Sequence, residues 1–432
     1  MNGQRRRWSD KDEQESGKEV FTDWGHVDML NYIRVNIIIG GEYGMEKEKV
    51  NKLIRYIEKV VEDKNIGYDE RDVEIATELL MDIDSHYKDN YSKKTFRKRI
   101  LNELIPAIEK GKKLTKEDIE KLFEEFRANK EQTWKVYRIL HGAEIVSDEP
   151  YKLGPFTLYN RERHWSWLEN EYNKLRSKVE SQFFEEFVEA DTIIKVEVSA
   201  RENIKAMELA DGLFSKFEHG MRLLLNRRYN GSYIVSIFSS LPTDLIFSMA
   251  VPEEKGTARF TGKHANFNVP VQIPNNEVAI NEYKWMWETI GKKKLNNLEK
   301  RLWRAIMWLG KGMDNSDDPY NALPQFVFAL ESLFNEDNMD AIASQLAEYA
   351  TFILYKNNEA EQREKFFKRI KDIYNLRSKL AHGEEANIRE SDLSFIYKVV
   401  RSLVFVLTND KEFANMESFE ELKKWVSKKK FS

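Results

Sequence analysis

The sequence predicts an α+β multidomain protein: a helical N-terminal region, a mixed strand-rich middle domain and an all-α C-terminal bundle. Three observations carry this reading. Apolar residues recur at three- and four-residue intervals up to about residue 132 and again from about residue 295. Between those stretches the chain breaks into short β-branched and aromatic runs bounded by Gly, Pro, Asn and Asp. With 432 residues, 41% of them hydrophobic, the chain is long enough for two to four domains with their own cores.

Residues 1–20 are polar and are expected to form a disordered tail, with Arg5, Arg6 and Arg7 solvated or touching a phosphate backbone. The mainly helical N-terminal region covers residues 21–132. Its clearest segment, KVNKLIRYIEKVVED, carries Val50, Leu53, Ile54, Ile57, Val60 and Val61 in helical phase. DERDVEIATELLMDI, TFRKRILNELIPAIEK and TKEDIEKLFEEF continue the rhythm, and Thr115 followed by Glu117 and Asp118 marks a helix start. GGEYG at 40–44 follows VNIII like a turn after a strand, but it lacks both GxGxxG and the P-loop Lys-Ser/Thr.

The middle domain spans 133–290. TWKVYRIL, GPFTLYN, DTIIKVEVSA, SYIVSIFSS, DLIFSMAV and NFNVPVQIP read as strands. Two helices interrupt them, at about 165–189 and 202–226. A bundle of five helices with short loops is expected over 291–410. Its first helix carries Leu295, Leu298, Leu302, Ile306 and Leu309 on one face. Its second begins near ALPQFVFALESLF, with Pro324 placed in the first turn. The third is MDAIASQLAEYATFILYK and the fourth EQREKFFKRIKDIYNLRSKLA. The fifth has Leu393, Ile396, Val400, Leu403 and Leu407 in phase, and a basic C-terminal helix closes the chain over 411–432.

Composition excludes several chemistries. The chain has no cysteine, which rules out a disulfide framework, a thiolate zinc site, an iron–sulfur cluster and a cysteine nucleophile. The net charge of −4 means that any nucleic-acid binding rests on local basic patches. No run of about 18 apolar residues is present, and the N-terminus lacks the apolar core of a secretory signal. A cytoplasmic protein without membrane contact, cofactor or metal is therefore expected.

The stretch NLRSKLAHGEE, residues 375–385, raises the functional question. Arg377 lies four residues after Ile373 and so continues the apolar stripe of Phe366, Ile370 and Ile373. Arginine is rarely buried without a partner. His382 falls at the helix end, and Gly383 is placed to cap it in the left-handed conformation. A five-residue step turns about 500°, so Arg377 and His382 point roughly 140° apart on one regular helix. They converge only if the helix frays near Ala381 or a second chain completes the site. Spacing alone identifies nothing. With 25 arginines and 7 histidines an Arg-x4-His match arises readily by chance, and a second copy, Arg259 to His264 in RFTGKH, lies in a glycine-containing loop. Cationic groups at a helix C-terminus also favour the dipole without any catalytic task.

The context of the motif carries a family resemblance. KDIYNLRSKLAHG resembles the signature helix of the Apea-like HEPN domains, and RLWRAIMWLGKGMDNSDDPYNALPQFVFALESLF resembles their opening helices. The likeness spans about 295–408. A looser similarity, through YRILHGAEI, LGPFTLYN and IIKVEVSARENIKAMELADGLFSKFEHGMRLLL, extends to the layout that precedes such domains in prokaryotic defence proteins. The resemblance implies a HEPN-like bundle and a metal-independent endoribonuclease acting as a toxin in antiviral defence by abortive infection. It also implies a homodimer in which two Arg-x4–6-His motifs meet. It gives His382 the role of general base on the ribose 2′-hydroxyl and Arg377 that of stabilising charge on the scissile phosphate. Glu331 becomes the matching acidic residue. Tyr374, Ser378 and Gly383 support the motif. Ser378 stands where Asn, Asp or His often follows the arginine, a variation familiar in the Apea-like branch. The chemistry is coherent: imidazole moves protons near neutral pH and guanidinium forks onto phosphate oxygens. The alternative is a HEPN module that binds RNA or a protein partner and does not cut.

Other features are weaker. Lys292, Lys293 and Lys294 in GKKKLNN, Lys379 beside the motif, and KKWVSKKK at the C-terminus are basic enough to guide an RNA backbone, or simply to solvate a face. RERHW at 161–165 sets cations beside aromatics, which suits base stacking, although packing of Trp165 and Trp167 is the expectation. His86, His141 and His219 have no ligand partners at useful spacing and are expected to be structural.

Overall fold

The computed structural model describes residues 47–63, 68–176, 190–225, 235–237, 248–252, 259–261, 271–274, 280–315, 318–335 and 342–431. The polar tail over 1–20 and the VNIII-GGEYG turn lie outside them. From Glu48 onward the chain forms one compact unit, mostly helical, with an antiparallel sheet in the middle and helices at both ends.

Among the described residues, five α-helices lead: α1 (Lys47–Glu62), α2 (Glu70–Ile83), α3 (Lys93–Arg99), α4 (Ile105–Glu109) and α5 (Lys116–Ala128). The longer ones, α1, α2 and α5, bury the stripe their periodicity dictates, such as Val50, Leu53, Ile54, Ile57 and Val60 on α1. Thr115 and Asp118 form a reciprocal capping box at the start of α5. The run TFRKRILNELIPAIEK is not one regular helix. A π-helical turn, Ile100–Leu104, separates α3 from α4, and the Ile105 N–H bonds the Ile100 carbonyl.

The sheet has the order β3-β4-β5-β1-β6-β7, built from β1 (Gln132–Ile139), β3 (Tyr151–Leu153), β4 (Phe156–Asn160), β5 (Thr192–Ala200), β6 (Ser248–Pro252) and β7 (Arg259–Thr261), all neighbours antiparallel. A separate parallel pair joins β2 (Ala143–Ile145) to β8 (Val271–Ile273). β2, β3 and β7 are too short for a periodicity to show. Arg259 opens β7 rather than sitting in a loop, and His264 lies outside the described residues. SYIVSIFSS is described only at 235–237, where His141 and Ser236 make an isolated bridge. The β3–β4 turn requires Gly154: its φ is 58°, and a Cβ there would overlap the Trp287 carbonyl.

Helix α6 (Trp165–Arg176) covers the start of the predicted 165–189 segment, whose remainder lies outside the described residues. His164, Leu168 and Tyr172, four residues apart, take its buried face. That leaves Trp165 and Trp167 39% and 49% exposed, so they pack at the surface and not in the core. Trp165 rests on the Tyr172 ring, with centroids 5.0 Å apart.

The long helix α7 (Asn203–Leu225) presents Ala206, Ala210, Phe214, Phe217, Met221 and Leu224 to the core. Phe156 on β4 lies against Phe217 edge-on at 5.1 Å. At its leading end, Glu202 accepts the Ser92 N–H at 2.6 Å and the Thr95 hydroxyl at 2.5 Å, and Lys205 donates to the Lys88 carbonyl at 2.6 Å. At its far end Tyr397 donates to the Leu223 carbonyl at 3.1 Å. One helix therefore ties the N-terminal helices to the C-terminal ones.

A short helix α8 (Lys284–Thr289) leads to the C-terminal helices α9 (Asn297–Asp314), α10 (Pro319–Phe334), α11 (Ile342–Leu354), α12 (Ala360–Ala381), α13 (Glu390–Asn409) and α14 (Phe419–Lys430). Consecutive pairs pack together, α9 on α10 and α11 on α12, with α13 laid against α10 and α11. Two boundaries differ from expectation. Asn296 makes a capping box with Glu299, so Leu295 precedes the first helix. Asp318 caps α10 and Pro319 occupies its first position, so Pro324 falls one turn inside the helix. The capping signal just upstream outweighs the proline. No helix among the described residues is long and apolar enough to cross a membrane.

Candidate functional site

The site begins with the stripe of α12. Phe366, Ile370 and Ile373 are buried, and the same spacing carries Arg377 onto this face, with its side chain 22% exposed. Across from it stands Glu331 near the end of α10, 15% exposed. Phe328, one turn before Glu331, shares its face.

These groups form a cage. The Arg377 guanidinium carbon lies 4.8 Å from the Phe328 ring centre and 5.8 Å from that of Tyr374. Its Nη2 is 3.6 Å from Glu331 Oε1. That is too long for a hydrogen bond, so the attraction is Coulombic. The arginine is thus oriented by two rings and a carboxylate, and no hydrogen bond among the described residues engages its five donors. Burial pushes the Glu331 carboxyl up from its ordinary value, and Arg377 pulls it partway back. Burial also raises the Tyr374 hydroxyl, with Glu331 adding to the rise and Arg377 opposing it.

The helix end beyond Arg377 is built by backbone geometry. Gly383 has φ 72°. Its N–H bonds the Leu380 carbonyl at 3.1 Å, and the Glu384 N–H bonds the Lys379 carbonyl at 2.9 Å. This is a complete Schellman cap, the role the sequence assigns to Gly383. The His382 N–H bonds the Ser378 carbonyl at 3.1 Å, and Ser378 itself is half-buried. His382 is the C-cap residue and is exposed.

Arg377, Glu331 and Tyr374 come together; His382 does not join them. No hydrogen bond or ion pair among the described residues links its ring to any of the three. Because α12 is helical through Ala381, fraying does not bring it round. Within one chain the imidazole faces solvent and the guanidinium faces its aromatic cage.

The flanking lysines divide. Lys292 is committed to Glu299, at 2.7 Å, which makes it part of the α9 start. Lys293, Lys294 and Lys379 are exposed. Arg301 donates to the Leu333 and Asn335 carbonyls at 3.4 and 2.9 Å, so α9 begins where α10 ends. The Lys293–Lys294 pair therefore lies at the same end of these helices as Glu331. No group of three or more His, Asp or Glu side chains among the described residues is arranged to hold a metal ion.

Sequence reasoning missed Phe328, although its three-residue spacing from Glu331 was a usable signal. It also missed a second polar cluster where α7 meets α9. There Glu218 accepts from the Ser236 hydroxyl at 2.7 Å and the Ile237 N–H at 2.5 Å. Arg222 pairs with Asp314 at 2.7 Å and contacts His219 Nδ1 at 3.2 Å. Burial, then Arg222 and Lys311, hold His219 down at about 3. Burial raises Asp314 to about 6 against the pull of Arg222. These residues are a structural joint, consistent with the structural role expected for His219.

Comparison with family models, with curated proteins and with solved structures finds no match for this chain.

Proposed function

We propose that the chain is a HEPN-type endoribonuclease of the Apea-like kind, cutting RNA by attack of the ribose 2′-hydroxyl on the adjacent phosphorus, in a defence role. The observation that carries this reading is the Arg377 cage. A half-buried guanidinium is held by Phe328, Tyr374 and Glu331, with no hydrogen bond to it among the described residues, one helical turn before an exposed histidine. A merely structural arginine is expected to spend its donors on backbone carbonyls, as Arg301 does.

In the proposed reaction His382 takes the proton from the 2′-hydroxyl. The 2′-oxygen bonds to phosphorus and the bond from phosphorus to the 5′-oxygen breaks. The imidazolium of either protomer returns a proton to that leaving oxygen. Arg377 holds the non-bridging oxygens as charge builds on them. Glu331 is a positioning residue that orients Arg377. The products are a 2′,3′-cyclic phosphate and a 5′-hydroxyl.

The site is assigned to a homodimer. Arg377 and His382 diverge by roughly 140° along a regular helix, and a two-fold axis brings the arginine of one protomer to the histidine of the other. Lys293, Lys294 and Lys379 then supply phosphate contacts along the approach.

The experiment is incubation of purified protein with total RNA in EDTA. Cleavage persists, leaving cyclic phosphate ends. Cleavage that requires added Mg²⁺, or that leaves 5′-phosphate ends, contradicts the reading. A dimer that binds RNA without cutting it identifies the non-cleaving module instead, a reading favoured by the separation of His382 from Arg377 within one chain.

A further inference from the structure

A cleft of about 710 Å³ lies between the N-terminal helices and the first turn of α7, away from the Arg377 cage. Its volume falls in the range of small-molecule sites, about 300–1,000 Å³. One wall is cationic: Lys93, Lys94, Arg97 and Lys98 all line it, against a single lining carboxylate, Glu74. Two of these cations are neutralised. Lys93 pairs with Glu74 and Glu78, and Arg97 with Glu70 at 2.6 Å. Lys94 and Lys98 are exposed and have no ion-pair partner among the described residues. They are four residues apart on α3, so their like charges face each other and repel until an anion lies between them.

The rest of the lining is different in character. Leu101 and Ile204 give it an apolar floor and Asn102 an amide. Leu101 and Asn102 belong to the π-helical turn Ile100–Leu104. Such turns are rare and recur at functional sites, where the extra residue re-aims side chains. An unneutralised lysine pair beside an apolar patch and an amide suits a ligand with phosphate at one end and a ring at the other.

We propose that this cleft binds a small phosphorylated molecule of nucleotide size. The site adjoins a joint of the fold: Thr95, which also lines the cleft, donates to Glu202 at the head of α7. The proposal does not depend on ribonuclease activity.

The test is calorimetric titration of the full-length protein with ATP, and separately with a short single-stranded RNA. The expected result is saturable ATP binding below roughly 1 mM. The double variant Lys94→Gln/Lys98→Gln weakens it by roughly tenfold or more. Lys284→Gln, on the exposed face of α8, leaves it unchanged. Both replaced lysines are exposed, so the thermal midpoint of the double variant should match wild type, which separates lost binding from lost fold. Absence of saturable ATP binding overturns the proposal, as does binding that the double variant retains. RNA binding that Lys94→Gln/Lys98→Gln abolishes, with ATP inert, makes the cleft a polymer-phosphate site and also overturns it.

Discussion

Replacing His382 by alanine is expected to lower RNA cleavage by about 10²- to 10⁴-fold, the usual contribution of a general base, with little change in stability. His382 is exposed and its N–H serves the helix cap through backbone alone, so the fold should not notice the lost ring. Arg377→Ala is expected to cost about 10²- to 10³-fold, as removal of a transition-state donor does. It should also cost some stability, because the part-buried Glu331 carboxylate loses its cationic partner. His264→Ala should leave cleavage within a few-fold, because Arg259 lies in the short strand β7 and not on a packed helical stripe like the one that carries Arg377. Cleavage assays on the three purified variants decide the matter. Full activity in His382→Ala with none in His264→Ala would move the chemistry to the strand-rich domain.

Gly310→Ala is expected to be strongly destabilising. A Cβ at this position on α9 falls within 2.9 Å of three His219 atoms, Nδ1, Cγ and Cβ. Helix α7 must move away or the imidazole must leave its place, at a cost of about 1–3 kcal/mol or more. Denaturant unfolding of the purified variant measures it, and a midpoint equal to wild type refutes the close approach.

The same joint has a worked pH dependence. His219 is depressed from 6.5 to about 3, so the stability it contributes is present above 6.5 and is lost as pH falls toward 3. Asp314 is raised from 3.8 to about 6, so its contribution is present below 3.8 and is lost as pH rises through 6. Between pH 6 and 4 the two slopes oppose each other in the wild type. His219→Gln removes the first slope. It should be less stable than wild type near neutral pH, with the gap closing as the solution is acidified. A gap that widens on acidification would mean that His219 is charged when folded.

Much of this was legible in the sequence because it follows from local periodicity. The step from Ile373 to Arg377 announced a partly buried arginine, and Gly383 after the last helical residue announced the cap. Thr115 with Asp118 fixed the start of α5 by the same local logic. What was not legible depends on distant contacts. His219 meets Gly310 and Asp314 only because α7 crosses α9, and no spacing within either segment encodes that crossing. Trp165 and Trp167 looked like core residues by type. Their exposure follows from the choice of His164, Leu168 and Tyr172 as the buried face of α6, and hydrophobicity alone pointed the other way. Pro324 is a poor guide to the start of α10 because Asp318 and Pro319, just upstream, make the stronger start signal.

The central claim is that two chains build one ribonuclease site, the arginine from one and the histidine from the other. The most direct measurement is RNA cleavage in EDTA by dimers assembled from one Arg377→Ala protomer and one His382→Ala protomer, isolated with two different affinity tags. Such a mixed dimer holds one site with neither mutation and one with both. The account predicts that it recovers about half of the wild-type activity while each parent homodimer stays inactive. A mixed dimer as inactive as its parents, beside a wild type that cuts, would contradict it.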